Sequence, residues 1–340
     1  MNTPRKLFLH APGIHVGGGL TLLQALYSAA DSCVDFEQLD TRAAHLIPPS
    51  SAERHLIRPS LFSRLAAEFR LQQRVAKGDV VLCFNGLVPL FRCQGEITVF
   101  LQNRLLISTA RLHNYSLRAR LRLTVERFLI KNLAHRVNKF IVQSPSMAEQ
   151  TRAHLGPNAN IVICPYIANS RRSAVVTDRE RRFDFVYVAS ADPHKNHQAL
   201  LRGWSQLAEQ GIRPSLALTL SLDSPLAAQL SDLKERWGLN VSNLGPLTPT
   251  EVGSLYAQAR ALIYPSFTES LGLPLIEASR AGLPIIAAEL DYVRDIVDPV
   301  ETFDPHSPTS IARAVKRHLG IVSSPQAIFG PEVFLREVLQ

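Results

Sequence analysis

Long apolar runs are missing from this chain. No stretch approaches the ~20 apolar residues that a membrane-spanning helix needs, which sets aside a helical integral membrane protein. The first ten residues hold basic side chains but only Leu7, Phe8 and Leu9 as an apolar block, too few for a secretory leader. Cysteine is scarce. Cys33, Cys83, Cys93 and Cys164 show no metal-ligand spacing, and three of the four fall in or beside apolar runs, as reduced core thiols do. A cytoplasmic location is expected from these features. The glycine fingerprint of dinucleotide binding, G-x-G-x-x-G, is also absent. Acidic residues are short in one half only. Residues 1–180 hold 23 Lys+Arg against 12 Asp+Glu, or +11, and residues 181–340 hold 14 against 17, or −3. A basic first half implies an anionic partner for that half. No recognised nucleic-acid motif accompanies the charge, so no nucleic-acid partner is expected and an anionic membrane surface is the expectation left.

What is present is a soluble composition, 46% hydrophobic and 19% charged over 340 residues, long enough for two domains. Buried-strand patterns at 6–11, 79–84, 97–101 and 139–142 alternate with helical patterns near 20–30, 60–77, 115–134 and 145–155. A second series begins at Phe183, with strands at 183–189, 215–220, 261–264 and 284–287. Its helices fall near 195–210, 225–237, 249–259, 274–281 and 309–319. Two β/α series predict an α/β protein of two Rossmann-like halves with parallel sheets. The polar stretch 169–182 separates them. The expected domains are 1–172, 173–325 and a C-terminal helix within 326–340.

The most informative stretch is 265–284. Ala261 to Tyr264 reads as a buried strand, Pro265 ends it, and Gly272 and Pro274 shape the next turn. Glu269 lies in that loop, and Glu277 sits eight residues on, in the first turns of a helix that Gly282-Leu-Pro stops. Backbone N–H groups of Ser270, Leu271, Gly272 and Leu273 are free at the helix start and suit an anion. Two carboxylates beside free amides fit a ligand that carries both hydroxyls and phosphates.

This stretch resembles the paired-glutamate signature, E-x(7)-E, of retaining glycosyltransferases of family 4, which have the GT-B fold. Tyr256, Ala259, Pro265-Ser266, Gly272, Pro274, Glu277-Ala278, Gly282 and Pro284 also stand where the family has like residues. The resemblance implies two Rossmann-like domains facing a central cleft, the first for the acceptor and the second for a nucleotide-sugar donor. It implies a retaining, metal-independent transferase like those that build bacterial lipopolysaccharide, O-antigen or capsule. No cofactor is implied, because the nucleotide sugar is a substrate. By this resemblance Glu277 holds the donor ribose, and Glu269 with the adjacent amides holds the sugar and stabilises developing charge. The last helix, about 331–339, resembles the family's segment that crosses back to the first domain.

Other segments extend the resemblance with departures. Val16-Gly-Gly-Gly-Leu20 follows the first strand and lets backbone approach a ligand, and Gly18 and Gly19 would face the donor diphosphate. Lys195 matches the lysine of the family's phosphate segment, but Ser190 and Ala191 stand where the family arginine belongs. Lys195 is therefore expected to carry the leaving-group charge, beside Glu269 as the second catalytic residue. The stretch 243–251 looks like the family loop that holds the base, through backbone near Leu247, with Thr248 or Thr250 as a helix cap. Gln102-Asn103 replaces the family histidine at the cleft-facing end of a strand, and either amide can bond a sugar hydroxyl. Asn85, ending another strand, lines the acceptor side. Two rival readings are a sugar-nucleotide epimerase of the same fold and a catalytically silent sugar-nucleotide-binding partner.

Residues 104–139 carry nine basic side chains, with Leu117, Leu121, Val125, Phe128 and Leu129 at helical spacing. This is a basic amphipathic helix, either packed on the core or docked on anionic lipid. The expected partners are thus a nucleotide sugar, a glycan or polyprenyl-linked glycan, and an anionic membrane surface. A peripheral position on the inner face of the plasma membrane is the matching expectation for location.

Overall fold

The computed structural model describes residues 5–29, 34–108, 112, 115–167 and 181–321. The first half is a parallel sheet of seven described strands. They are β1 Leu7–Ala11, β2 Phe36–Asp40, β3 Glu53–Ile57, β4 Val80–Cys83, β5 Glu96–Phe100, β6 Lys139–Val142 and β7 Ile161–Ile163. They lie in the order β3-β2-β1-β4-β5-β6-β7. Right-handed crossovers then place α1 (Gly17–Ala29) on one face and α2 (Leu61–Arg74), α3 (Leu117–Leu133) and α4 (Pro145–Leu155) on the other. The two cores agree. Leu22 and Leu23 of α1 pack with Leu9 and Leu39, whereas Leu71, Ile130 and Met147 pack with Val81, Val99 and Phe140.

The second half repeats the plan with six strands. They are β8 Phe183–Tyr187, β9 Leu216–Leu218, β10 Val241–Asn243, β11 Ala259–Tyr264, β12 Ile285–Ala288 and β13 Glu301–Phe303, ordered β10-β9-β8-β11-β12-β13. Its helices are α5 His197–Glu209, α6 Pro225–Trp237, α7 Pro249–Ala257, α8 Leu273–Arg280, α9 Asp291–Arg294 and α10 Pro308–His318. One core unites them around Trp204, Tyr187 and Tyr264. Gly203 lets α5 and α10 approach, since a Cβ there would meet the Pro308 carbonyl at 3.1 Å.

The expected elements are present, most within two residues of their expected ends. The expectation omitted β2, β3, β7, β10, β13 and α9. In β2 the cause is chemical. Glu37 and Gln38 are fully buried, which breaks the apolar pattern of a central strand. Tyr27, Ser50 and Arg54 all donate to the Glu37 carboxylate. Gln38 bonds His10 Nδ1 at 2.6 Å and the Ala67 carbonyl at 2.8 Å. Burial drops the His10 imidazole to about 4. Of the described cysteines, Cys83 is buried, Cys93 half-buried and Cys164 exposed, so Cys164 is not a core thiol. The expected 172/173 boundary and the helix at 331–339 lie outside the described residues. No helix among the described residues is long and apolar enough to cross a membrane.

Candidate functional site

In each sheet the strand order reverses once, between β1 and β4 and between β8 and β11. Loops leaving the carboxyl ends of such neighbours diverge and open a crevice, the usual ligand position in doubly wound sheets. Here the two crevices face each other. A Cβ on Gly18, after β1, would lie 3.4 Å from the Leu273 side chain at the start of α8. Leu273 itself packs against the core of the first half.

Lys195 comes from the loop after β8 and Glu269 from the loop after β11. Lys195 ends a short 3-10 turn, Pro193–Lys195, rather than opening α5 as expected. Its ammonium donates to both Glu269 oxygens, at 2.7 and 2.9 Å. Both side chains are largely buried, at 16% and 10% exposure. Burial pushes the Glu269 carboxyl up, but the Lys195 charge and hydrogen bonds from Lys195 and Ser266 outweigh it and hold the carboxyl below its ordinary value. Tyrosines fix the surroundings. Tyr187 donates to the Lys195 carbonyl at 2.7 Å and lies 2.8 Å from the Ser266 hydroxyl, and Tyr292 donates to the Ser266 carbonyl at 2.7 Å. Asn196, left-handed at φ 59°, donates to the Pro265 and Pro305 carbonyls and so ties three loops together.

Glu277 sits on α8, where Tyr256 of α7 donates to it at 3.1 Å. Burial raises its carboxyl, against the Tyr256 hydrogen bond. The two glutamates of the signature are therefore displaced in opposite directions. Between them Gly272 takes φ 66° and caps α8. No hydrogen bond from the backbone N–H groups of Ser270, Leu271, Gly272 or Leu273 is found among the described residues. The arrangement offers a cation, a neutralised carboxylate and free amides at one crevice, a combination able to hold phosphate and hydroxyl groups together.

The residues from the first half divide. Gln102 donates through Nε2 to the Phe84 carbonyl at 2.7 Å, and its buried Oε1 finds no partner. That oxygen lies against the glycine loop, where a Cβ on Gly19 would come within 3.1 Å of it. Asn103 instead caps the 3-10 turn Arg104–Leu106 by accepting from the Leu105 N–H. Asn85 accepts from the Leu87 N–H within its own turn. Leu247 packs its half-buried side chain on the second core, just beyond β10 and two strands from β8. Thr248, not Thr250, caps α7, in a reciprocal box with Glu251. At the position of the absent arginine, Ser190 donates to Asp192 at 2.6 Å.

One site residue lay unread within the basic segment. Arg104 is 7% exposed and crosses the cleft. It donates to Gln150 at 2.8 Å and Ser146 at 3.3 Å on its own side, and to the Glu269 carbonyl at 3.2 Å on the other. Its place right after the strand-end pair Gln102-Asn103 was the available signal. Tyr115 likewise reaches His194 across the cleft, at 3.0 Å.

Comparison with known proteins agrees with this geometry. Residues 170–321 match the family model described as glycosyl transferases group 1. An O-antigen chain mannosyltransferase B of Escherichia coli is 30% identical over 139 residues, 39% of this chain and 36% of that protein. The chain thus covers little more than a third of that relative. Among solved structures, sucrose-phosphate synthase from Thermosynechococcus elongatus superposes with a TM-score of 0.67 at 17% identity, over 93% of this chain and 90% of that one. Anabaena HepE in complex with UDP and glucose gives 0.64 at 14%, over 93% and 89%. Residues 170–321, a little under half of the chain, thus match the glycosyl transferases group 1 model, in a chain that has the GT-B architecture and resembles the family 4 enzymes of bacterial O-antigen synthesis.

Proposed function

We propose that the protein is a retaining, metal-independent glycosyltransferase. It moves a sugar from a nucleotide-sugar donor to a glycan or lipid-linked glycan in cell-surface polysaccharide synthesis. The observation that carries this reading is the Lys195–Glu269 pair at the second crevice, opposite the glycine loop of the first. The UDP and glucose in the HepE structure and the mannosyltransferase relative support the substrate class.

The donor diphosphate exchanges places with the Glu269 carboxylate at Lys195. Its oxygens then meet the ammonium and the free amides of 270–273. As the bond from sugar C1 to the phosphate oxygen breaks, negative charge grows on the diphosphate, and Lys195 stabilises that charge most in the transition state. The acceptor oxygen bonds C1 on the same face, and its proton passes to the departing phosphate oxygen. Glu269, released from the lysine, faces the developing positive charge at C1. Glu277, oriented by Tyr256, accepts from the donor ribose hydroxyls. Gln102 Oε1 accepts from a sugar hydroxyl, because its amide nitrogen is already held by Phe84.

A thermal-shift panel of sugar nucleotides tests the donor, since bound ligand stabilises by mass action. Glu277→Ala should weaken the donor found by roughly 1.5–3 kcal/mol, a lost charged hydrogen bond. Unchanged affinity by calorimetry removes Glu277 from the site. Product NMR with the α-anomeric configuration of an α-linked donor preserved supports retention, and an inverted product ends that part of the reading.

A further inference from the structure

The second half buries its helices well, but two helices of the first half do not. On α3, Leu117, Leu121, Val125 and Phe128 recur at i, i+4, i+8 and i+11 and form one stripe. The stripe points to solvent, with Leu117 79% and Phe128 64% exposed, while the core contact is made by Leu123 and Ile130. On α2, Leu61, Phe62, Leu65 and Phe69 are exposed in the same way, Phe62 by 87%. The two helices lie on one face of the sheet, and Arg64 of α2 is close enough to act on the charge of Glu126 in α3. The segment between β4 and β5 fills in beside them. Phe91 meets Phe69 edge-on at 6.1 Å, and Leu90 accepts from Arg136.

Exposed charge around these stripes is predominantly basic. Arg118, Arg120, Arg122 and Lys131 of α3 are exposed, as are Arg58 just before α2 and Arg70 on it. Each helix holds one acid, Glu68 or Glu126, and neither is fully exposed. Glu68 turns in to accept from the Leu90 N–H at 2.6 Å, and burial raises both carboxyls. Scattered exposed apolar residues need no explanation, but two stripes on neighbouring helices rimmed by more arginines than acids do, even with Arg122 paired to Glu126 at 3.9 Å and Arg74 paired to Glu53. Phe and Leu on one side with Arg around them match the chemistry of an interfacial helix on anionic lipid, where the rings enter the headgroup boundary and the guanidiniums meet phosphate.

We infer that α2 and α3 together form a monotopic docking face that inserts shallowly into an anionic bilayer. Both helices start at the carboxyl edge of the sheet, the edge that holds the cleft, and Tyr115 just before α3 contacts His194. The most exposed apolar residues, Phe62, Leu61 and Leu117, are in those first turns. Docking there holds the cleft mouth at the membrane surface, where a lipid-linked acceptor would present its glycan. This last step rests on the acceptor class proposed above, but the docking face does not.

The test is co-sedimentation of the full chain with vesicles of equal phosphatidylcholine and phosphatidylglycerol, against pure phosphatidylcholine. Wild type should bind the anionic vesicles. Phe62→Ser with Leu121→Ser and Phe128→Ser should lose most of that binding at any salt, because these side chains supply the apolar part. Arg118→Gln with Arg120→Gln should lower partitioning roughly thirtyfold at low salt and less at high salt. Circular dichroism of these surface variants checks that they fold. Wild-type failure to bind, or full binding by the triple serine variant, overturns the inference. So does a wild-type dimer that the triple variant abolishes without any vesicle binding, which assigns the face to a second copy. Sugar-nucleotide thermal shift on the same samples separates the two proposals. Vesicle binding without any donor response sinks the transferase reading and leaves the docking face standing.

Discussion

Lys195 and Glu269 neutralise each other in a largely buried crevice, so the fold contains a charge pair that the proposed reaction would have to open. A carboxyl held below its unfolded pKa adds stability above about pH 4.3, and that stability is lost as pH falls through the folded value. Glu269 is of this kind. Lys195→Met removes the main cause of its lowering and leaves burial, which raises it. The sign then reverses: Glu269 destabilises whenever it is ionised. The variant should lose about 3 kcal/mol near neutral pH, the usual cost of breaking one buried pair, and its deficit relative to wild type should shrink as pH approaches about 4. Adding Glu269→Gln should recover most of the loss. Chemical denaturation at several pH values checks this, and a deficit independent of pH would show that the pair is not a buried ion pair. Turnover should fall more than donor affinity in Lys195→Met. The resemblance names each member separately, Glu269 through the paired-glutamate stretch and Lys195 through the phosphate segment. Their bidentate contact is not legible there, because pairing of side chains 74 positions apart depends on which strands are neighbours.

At the scale of elements, legibility followed local chemistry. Pro145, Pro225 and Pro249 at first-turn positions with Ser144, Ser224 and Thr248 as caps marked α4, α6 and α7 cleanly. Strands of three residues such as β7, β10 and β13 are too short to show a period, and β2 hid behind its buried Glu37 and Gln38. The start of α8 shows how an element makes a site. Gly272 at φ 66° turns the chain so that the amides before it stay unpaired, and a Cβ there would stand 3.0 Å from the Leu275 side chain. Gly272→Ala meets both the left-handed backbone penalty and that contact, so a loss of roughly 1–2 kcal/mol is expected. Donor affinity should fall with it, because the amides move. An alanine variant with wild-type melting and wild-type donor binding would show that the turn is not under this constraint.

For the whole molecule, a few polar contacts bridge the cleft among the described residues: Arg104 to the Glu269 carbonyl, Tyr115 to His194, and the Ser146 N–H to Asp295. Arg104 joins Gln150 and Ser146 of α4 to the Glu269 carbonyl and lies 5.8 Å from the Tyr292 ring, while the Ser146 N–H donates to Asp295 at 2.9 Å. Burial draws the guanidinium pKa down, and Asp295, Tyr292 and Glu269 counter that. In the sequence Arg104 is one of nine basic residues of its segment, and composition cannot say which arginine faces the other half. If it couples the halves, its loss should cost about 1.5–3 kcal/mol in charged hydrogen bonds and should reduce their cooperation. Arg104→Leu keeps the buried stem apolar and removes only the head group. Scanning calorimetry of the variant should then show a broadened or split transition, with the first half melting earlier because its sheet loses the partner face. Addition of the donor should narrow the transition again, because a ligand held by groups from both crevices links the halves in the arginine's place. A single sharp transition at the wild-type temperature would mean that Leu273 packing and the Ser146–Asp295 and Tyr115–His194 contacts hold the cleft together, and that Arg104 serves only to position the Glu269 loop.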